Sequence, residues 1–166
     1  MQGDDTFSYN FGISQAACSQ WKGAETCLDA VQSEIIKSEF SYIAWKAKIK
    51  IHCGKPHLAW EAYLSLDASS KSYTLLQMIA NEAYRAGHFF YALKAFDVLE
   101  RLDPSPEYWE GKRGACVGAF QMVLAGKEKR DHLPEIVNML RNTSNPQVEY
   151  ILRVIKRWAK EQNINA

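Results

Sequence analysis

Phe89-Phe90-Tyr91-Ala92-Leu93-Lys94-Ala95-Phe96 is the stretch whose reading decides the fold. It opens a helix in which Phe89 packs at the start, Ala92 is small enough to let a neighbouring helix approach, and Phe96 reaches into the core between units. Gly87, two residues upstream, stands where a turn from a preceding helix needs a permissive backbone. Downstream, Asp103-Pro104 closes the unit. Ser105-Pro106-Glu107 then starts another helix with a cap, a first-turn proline and a first-turn acid. The unit covers residues 73–106.

The same pattern occurs twice more, in Trp21-Lys22-Gly23-Ala24-Glu25-Thr26-Cys27-Leu28 and in Pro56-His57-Leu58-Ala59-Trp60-Glu61-Ala62-Tyr63. The marker alanines Ala24, Ala59 and Ala92 are separated by 35 and 33 residues. A helix-turn-helix unit recurring about every 34 residues is the signature of a tetratricopeptide repeat. The first copy covers 5–38 and the second 40–72, each with a departure: Ser19 replaces the turn glycine in the first, and Lys46 stands at an expected apolar position in the second. The expected class is all-α, a superhelix of three tetratricopeptide-like pairs over 5–106.

A degenerate fourth pair is expected over 107–142, with helices over 107–125 and 133–141. Gly114 and Gly118 lie one turn apart inside its first helix. Each costs roughly 1 kcal/mol against alanine there, which predicts close backbone contact with a neighbouring helix. A C-terminal capping helix is expected over 145–163. Val148, Ile151, Leu152, Ile155 and Ala159 form its apolar face, opposite Glu149, Arg153, Lys156, Arg157 and Lys160. Asn145 suits its cap and Pro146 its first position. Glu149 and Arg153 have the spacing of a helical ion pair.

Composition narrows the function classes. The chain has 166 residues, 47% hydrophobic and 23% charged, which supports a continuous core. Lys+Arg is 20 and Asp+Glu 19, a balance that argues against a nucleic-acid partner. Only 9 Gly and 5 Pro disfavour a turn-dense β fold. Cys18, Cys27, Cys53 and Cys116 form no C-x-x-C pair, so zinc and thioredoxin signatures are missing, and buried thiols are expected. The opening Met1-Gln2-Gly3-Asp4-Asp5 lacks a signal-peptide pattern, and the longest apolar stretch, 115–125, falls short of the about 20 residues that cross a bilayer. A reduced, soluble, intracellular chain with no membrane insertion is expected.

No catalytic or cofactor chemistry is legible. His52, His57, His88 and His132 share no helix at i, i+4, and Gly54 and Pro56 separate Cys53 from His57, so no metal site is expected. Gly111-Lys112-Arg113-Gly114 lacks the order of a phosphate loop. The expectation is a chain that is not an enzyme, with no cofactor, no metal and no small-molecule substrate. Lys46, Lys48 and Lys50 alternate along one helix and fan over different faces, which reads as solvated surface.

Stacked pairs share a core and curve, so the first helix of each pair lines a concave face. The repeat register places Tyr9, Ile13 and Ala16 there from the first pair, Ala44, Lys48 and Ile51 from the second, and Gln77, Asn81 and Tyr84 from the third. This lining has no acid and suits a helical or extended peptide. Tyr9, Ile13, Lys48, Ile51, Gln77, Asn81 and Tyr84 are the candidate protein-binding residues. The alternative is a stand-alone peptide-binding adaptor or cochaperone. Gripping a terminal carboxylate takes a Lys and Asn clamp, and Tyr9, Asn10, Ile13, Trp45, Thr74 and Met78 at the early positions do not form one.

Some segments are more specific than a repeat consensus. Residues 94–104, ending in Arg101-Leu102-Asp103-Pro104, continue into Tyr108-Trp109-Glu110-Gly111-Lys112-Arg113-Gly114-Ala115-Cys116-Val117-Gly118. With Val31-Gln32-Ser33-Glu34, Leu58-Ala59-Trp60-Glu61, Gln147-Val148-Glu149-Tyr150-Ile151 and Arg157-Trp158-Ala159-Lys160-Glu161, they resemble the C-terminal part of the intraflagellar transport protein 56 family, also called the tetratricopeptide repeat protein 26 family. The resemblance spans residues 4–163. It implies a non-enzymatic subunit of the intraflagellar transport B complex, whose trains carry proteins along cilia and flagella, with a link to motility cargo. It implies as partners other proteins of that complex and ciliary cargo proteins. The implied location is the cilium or flagellum and the cytoplasm, including the ciliary base. It also implies a piece, or a short form, of a longer solenoid, and it supplies no catalytic or ligand residues.

Overall fold

In the computed structural model, which describes residues 2–164, helices follow one another with short turns and, among the described residues, no strand forms. Helices α1 (Gln2–Ala17) and α2 (Trp21–Asp29) make the first hairpin. A one-turn helix α3 (Glu34–Ser38) leads into α4 (Phe40–His52) and α5 (Pro56–Leu64), the second. Helices α6 (Ser70–Arg85) and α7 (Phe89–Leu102) make the third. Helix α8 (Pro106–Leu124) and, after a 3-10 turn at Arg130–His132, α9 (Leu133–Arg141) make the fourth; α10 (Gln147–Glu161) packs on α9. The architecture is an all-α, tetratricopeptide-like superhelix.

One backbone device ends the first helix of every hairpin. Ser19, Gly54, Gly87 and Gly126 all have left-handed backbones, with φ of 59°, 77°, 80° and 70°. In each case the next residue donates its N–H to a carbonyl five residues back: Gln20 to Gln15, Lys55 to Lys50, His88 to Ala83 and Lys127 to Met122, at 2.8 to 2.9 Å. This capping motif satisfies carbonyls that a helix end leaves without partners. Glycine adopts it freely, whereas Ser19 bears a cost of about 1–2 kcal/mol. The substitution of serine for glycine in the first copy therefore changes the energy of the turn and keeps its geometry.

Five residues beyond the first three turns come Ala24, Ala59 and Ala92, none with any accessible surface. A larger side chain at any of them meets the opposite helix. The fourth hairpin breaks the rule: Asp131 occupies that offset, exposed in the 3-10 turn, and α9 starts later, burying Leu133, Ile136, Val137, Met139 and Leu140.

Two apolar clusters fill the stack, and α4 divides its side chains between them. Tyr42 and Ile49 join Ala16, Ala24, Leu28 and Val31 from the first hairpin. Ala47 and Ile51 belong to the main core, which continues through Leu76, Leu93, Ala119 and Ile136 to Val148, Ile155 and Ala159. Helix α10 buries the face its periodicity marked. Its start lies one residue later than expected: Pro146 takes the cap position with helical backbone angles, and the Asn145 side chain accepts from the Gln147 N–H at 3.0 Å. Glu149 and Arg153 do not form their expected pair. The small helix α3 is not legible in the sequence. Its leading residues are held by Asp5, which accepts from the N–H groups of Gln32 and Ser33 at 3.1 and 2.8 Å.

The glycines of α8 answer to aromatic rings and not, as expected, to a neighbouring backbone. A Cβ at Gly118 would lie 2.5 Å from the Phe89 ring, one at Gly114 2.8 Å from the Tyr84 hydroxyl, and one at Gly111 2.5 Å from Phe96. These glycines share one face of α8 and form a smooth strip on which rings from α6 and α7 rest. Beside the strip, Lys112 has no accessible surface. Its Nζ lies 2.9 Å from Asp97 Oδ1 and 2.7 Å from Glu100 Oε2, and donates to Thr143 Oγ1 at 2.6 Å. Thr143 donates in turn to Glu100 at 3.0 Å, so one buried ammonium ties α7, α8 and the α9–α10 connection together.

Two outcomes test this packing. Ala92→Arg should lower the unfolding free energy by about 2 kcal/mol or more, through overpacking and a buried guanidinium, read by denaturant titration. Lys112→Met keeps the volume but leaves Asp97 and Glu100 without their cation. It should cost roughly 3–5 kcal/mol in the same measurement.

Candidate functional site

The first helices of successive hairpins, α1, α4, α6 and α8, are joined side by side by polar side chains. Tyr9 donates from its hydroxyl to Ser41 Oγ at 3.1 Å and its ring lies against Tyr42. Lys48 on α4 lies 3.4 Å from Glu82 on α6, and His52 Nε2 lies 2.7 Å from the other Glu82 oxygen. The His52 ring is stacked on Trp21, centroids 4.0 Å apart and planes 9° from parallel. Between α6 and α8, Gln77 Nε2 donates to the Tyr108 hydroxyl at 2.8 Å, and the Tyr73 and Tyr108 hydroxyls are 2.8 Å apart. That bond to Tyr108 pushes the Tyr73 phenol up to about 12. Arg113 on α8 donates to Gln147 Oε1 at the start of α10, at 2.8 Å.

These contacts sort the residues chosen from the repeat register. Tyr9, Lys48 and Gln77 lie on the first-helix face and are engaged with the next helix along. Ile13 and Ala44 are half-buried, and Asn81 is exposed. Tyr84 is 40% exposed, its ring edge-on to Phe89 and Phe96. Ile51 is a correction: it is completely buried in the main core, as Ala16 nearly is in the smaller one, and a side chain without surface touches no partner. Both point into the seam between helices.

The three lysines of α4 also correct the reading of a solvated surface. Lys50 is buried, with Nζ 2.6 Å from Glu25 and 2.7 Å from Asp29 on α2. Lys46 lies 3.2 Å from Asp29, and Lys55 2.7 Å from Glu25. Lys46 and Lys50 are one turn apart on α4, facing Glu25 and Asp29, one turn apart on α2. That pairing of two i, i+4 spacings of opposite sign was the available sequence signal. Hydrogen bonds from Lys50 and then Lys55 draw the Glu25 carboxyl down to about 2. Burial opposes the charged forms of Lys50 and Asp29, but their mutual hydrogen bond and remaining partners outweigh it, raising the ammonium and lowering the carboxyl. At Glu82, burial is likewise outweighed by His52 and Lys48, and its carboxyl is lowered.

The thiols divide differently from expectation. Cys116 is buried, and burial pushes it up to about 12. Cys18 is exposed, and Cys27 and Cys53 are half-buried. Among the described residues, no three His, Cys, Asp or Glu side chains come together as metal ligands, and no helix is long and apolar enough to cross a membrane.

A broad concavity lies at the far end of the first-helix face. It is an open trough of about 630 Å³ between α8 and α10, walled at its end by Tyr84 and Phe89 and lined by Arg113, Val117, Gln121 and Tyr150. Only Tyr84 among the candidate residues lines it. Gly114 and Gly118 border it beneath the Tyr84 and Phe89 rings that rest on them.

The sequence comparisons agree in one direction. A family model described as intraflagellar transport protein 56 matches residues 1–166. A relative from Caenorhabditis elegans, an intraflagellar transport protein 56 homolog, is 33% identical over 132 residues, covering 78% of this chain and 23% of that relative. The chain thus spans about a quarter of the length of the curated relative it matches.

The charge ladder between α2 and α4 has an acid signature. Glu25 falls from 4.5 to about 2 on folding, so the folded chain favours its ionised form. That contribution is complete above the unfolded value and is lost as pH falls from 4.5 towards about 2. The lowered carboxyls of Asp29 and Glu82 act with the same sign. Thermal melting should therefore drop steeply through this window, and the drop should be shallower in Lys50→Met, which lacks the main partner of Glu25.

Proposed function

The chain belongs to the intraflagellar transport protein 56 family, and from that premise we propose that it is a non-enzymatic scaffold of the intraflagellar transport B complex. It binds other proteins of that complex and motility-related ciliary cargo. It works in assembly of the cilium or flagellum, and resides there, in the cytoplasm and at the ciliary base. The observation that carries the reading is the family match over residues 1–166, laid on a stack of hairpins whose first helices are tied side by side. Repeat stacks of this kind offer extended surfaces on which partners lie across several units.

The proposed docking surface is the first-helix side, built from Tyr9, Ile13, Lys48, Gln77, Asn81 and Tyr84, with Ile51 behind it as packing. Asn81 and Tyr84 sit on the same side of α6 and have the most open positions among them on that helix. Tyrosine with one face supported and one free is a common anchor in protein interfaces.

Tagged chain expressed in ciliated cells should co-purify with intraflagellar transport B proteins and enter the cilium. The double variant Asn81→Ala/Tyr84→Ala should retain its helicity and capture less of the complex by quantitative mass spectrometry. Undiminished capture would remove this surface from the reading, and absence of every B protein from the unaltered chain would overturn the scaffold role itself.

A further inference from the structure

We infer that the trough between α8 and α10 is a dedicated seat for an acidic amphipathic helix of another protein, with Arg113 as the cation that selects it. The inference rests on the scaffold reading and names the partner chemistry at one end of the stack. Three observations carry it.

The walls are apolar and reachable. Val117 is 42% exposed and Tyr150 69%, and they face the trough with Phe89, Tyr84 and Ile151. Beyond the lining, Val154 on the next turn of α10, four residues from Tyr150, is 44% exposed. Exposed apolar side chains scattered over a surface are ordinary, but several gathered in one concavity mark a contact site.

The lining holds a single charge. Arg113 donates to the neutral Gln147, and among the described residues no carboxylate pairs with it. Glu110, one turn earlier on the same side of α8, lies outside the lining and forms no ion pair with it. Arg153, one turn from Tyr150 on α10, is also exposed and forms no ion pair. The cations buried or half-buried between helices, Lys48, Lys50, Lys94 and Lys112, have acids beside them, whereas Arg113, set among apolar side chains of the trough, has none. A guanidinium held by one hydrogen bond at the edge of an apolar trough keeps donors free for a carboxylate.

The shape selects a helix. The trough is open to solvent between α8 and α10, with Tyr84 and Phe89 at its end, unlike the enclosing cavities that small molecules occupy. A partner helix fits by placing aliphatic side chains at i and i+4 on Val117 and Phe89, with an acid one turn on that meets Arg113. Tyr84 and Phe89, seated on Gly114 and Gly118, supply the apolar surface at that end for it to rest on.

The test uses the intact chain and a fluorescein-labelled, alanine-based helical peptide carrying two leucines at i, i+4 and a glutamate one turn further on the same face. Fluorescence anisotropy should detect binding. Replacing the glutamate by lysine should weaken it about tenfold. Arg113→Glu should reverse that order, and Val117→Asp should abolish binding of both peptides. Val117 is exposed and Arg113 half-buried, and circular dichroism checks that both variants fold. Equal affinity for the two peptides, an unchanged order in Arg113→Glu, or no binding of either peptide overturns the inference. So does a dimer in sedimentation that Val117→Asp dissolves, since a second copy then covers the trough. Co-purification of the unaltered chain with B proteins, combined with any of these results, leaves the scaffold role standing and removes only this seat.

Discussion

Each of the first three hairpins depends on one geometric constraint: the chain must reverse through a left-handed residue and then bring two helices together at a residue too small to hold them apart. In the first three hairpins these sites are five residues apart, Ser19 with Ala24, Gly54 with Ala59, and Gly87 with Ala92. The offset follows from the capping bond, which fixes where the second helix begins, and from helical pitch, which brings its second turn against the first helix. Ser19 demonstrates that the constraint acts on the backbone. The cap forms there with the same hydrogen bond, and the packing of Ala24 and Leu28 offsets the steric cost. The fourth hairpin lacks an alanine at this offset, and its connection lengthens accordingly.

Apolar burial holds the hairpins together, yet by itself it permits sliding, because one oily helix face resembles the next. Fixed charges remove that freedom. Lys50 between Glu25 and Asp29 sets the second hairpin against the first, Glu82 receives Lys48 and His52 to set the third against the second, and buried Lys112 locks the fourth onto the third. A shift of one helical turn in any of these seams leaves a carboxylate or an ammonium buried without its partner, a penalty that apolar repacking does not recover. The neutral ties between consecutive first helices, Tyr9 to Ser41 and Gln77 to Tyr108, act in the same sense.

Binding feels the same ties. Polar groups that hold neighbouring helices together have fewer donors and acceptors free for a partner, so Tyr9, Lys48 and Gln77 shape the first-helix side more than they decorate it. Surface not engaged in such ties lies where they end, at Asn81, at the open edge of Tyr84 and in the trough beyond. The glycine strip of α8 links the two roles. By letting the rings of Phe89, Tyr84 and Phe96 lie close against the helix, it seals the core, and two of those rings, Tyr84 and Phe89, become the end wall of the trough.

The repeat period, the hairpin turns, the alanine contacts and the apolar face of α10 were all written in the sequence, because each is a local rule with a fixed spacing. The segments resembling intraflagellar transport protein 56 were equally legible, and the family match agrees with them. What the sequence left open was the direction in which individual side chains point from a known helix. Ile51 has a surface position by register but turns into the seam, and Lys46 and Lys50 read as solvent-facing until α2 supplies their acids. Those outcomes depend on the rotation of one helix against another, a quantity set by contacts between residues 17 to 31 positions apart. Only the tertiary structure decides it, since no local spacing encodes which neighbour a side chain will meet.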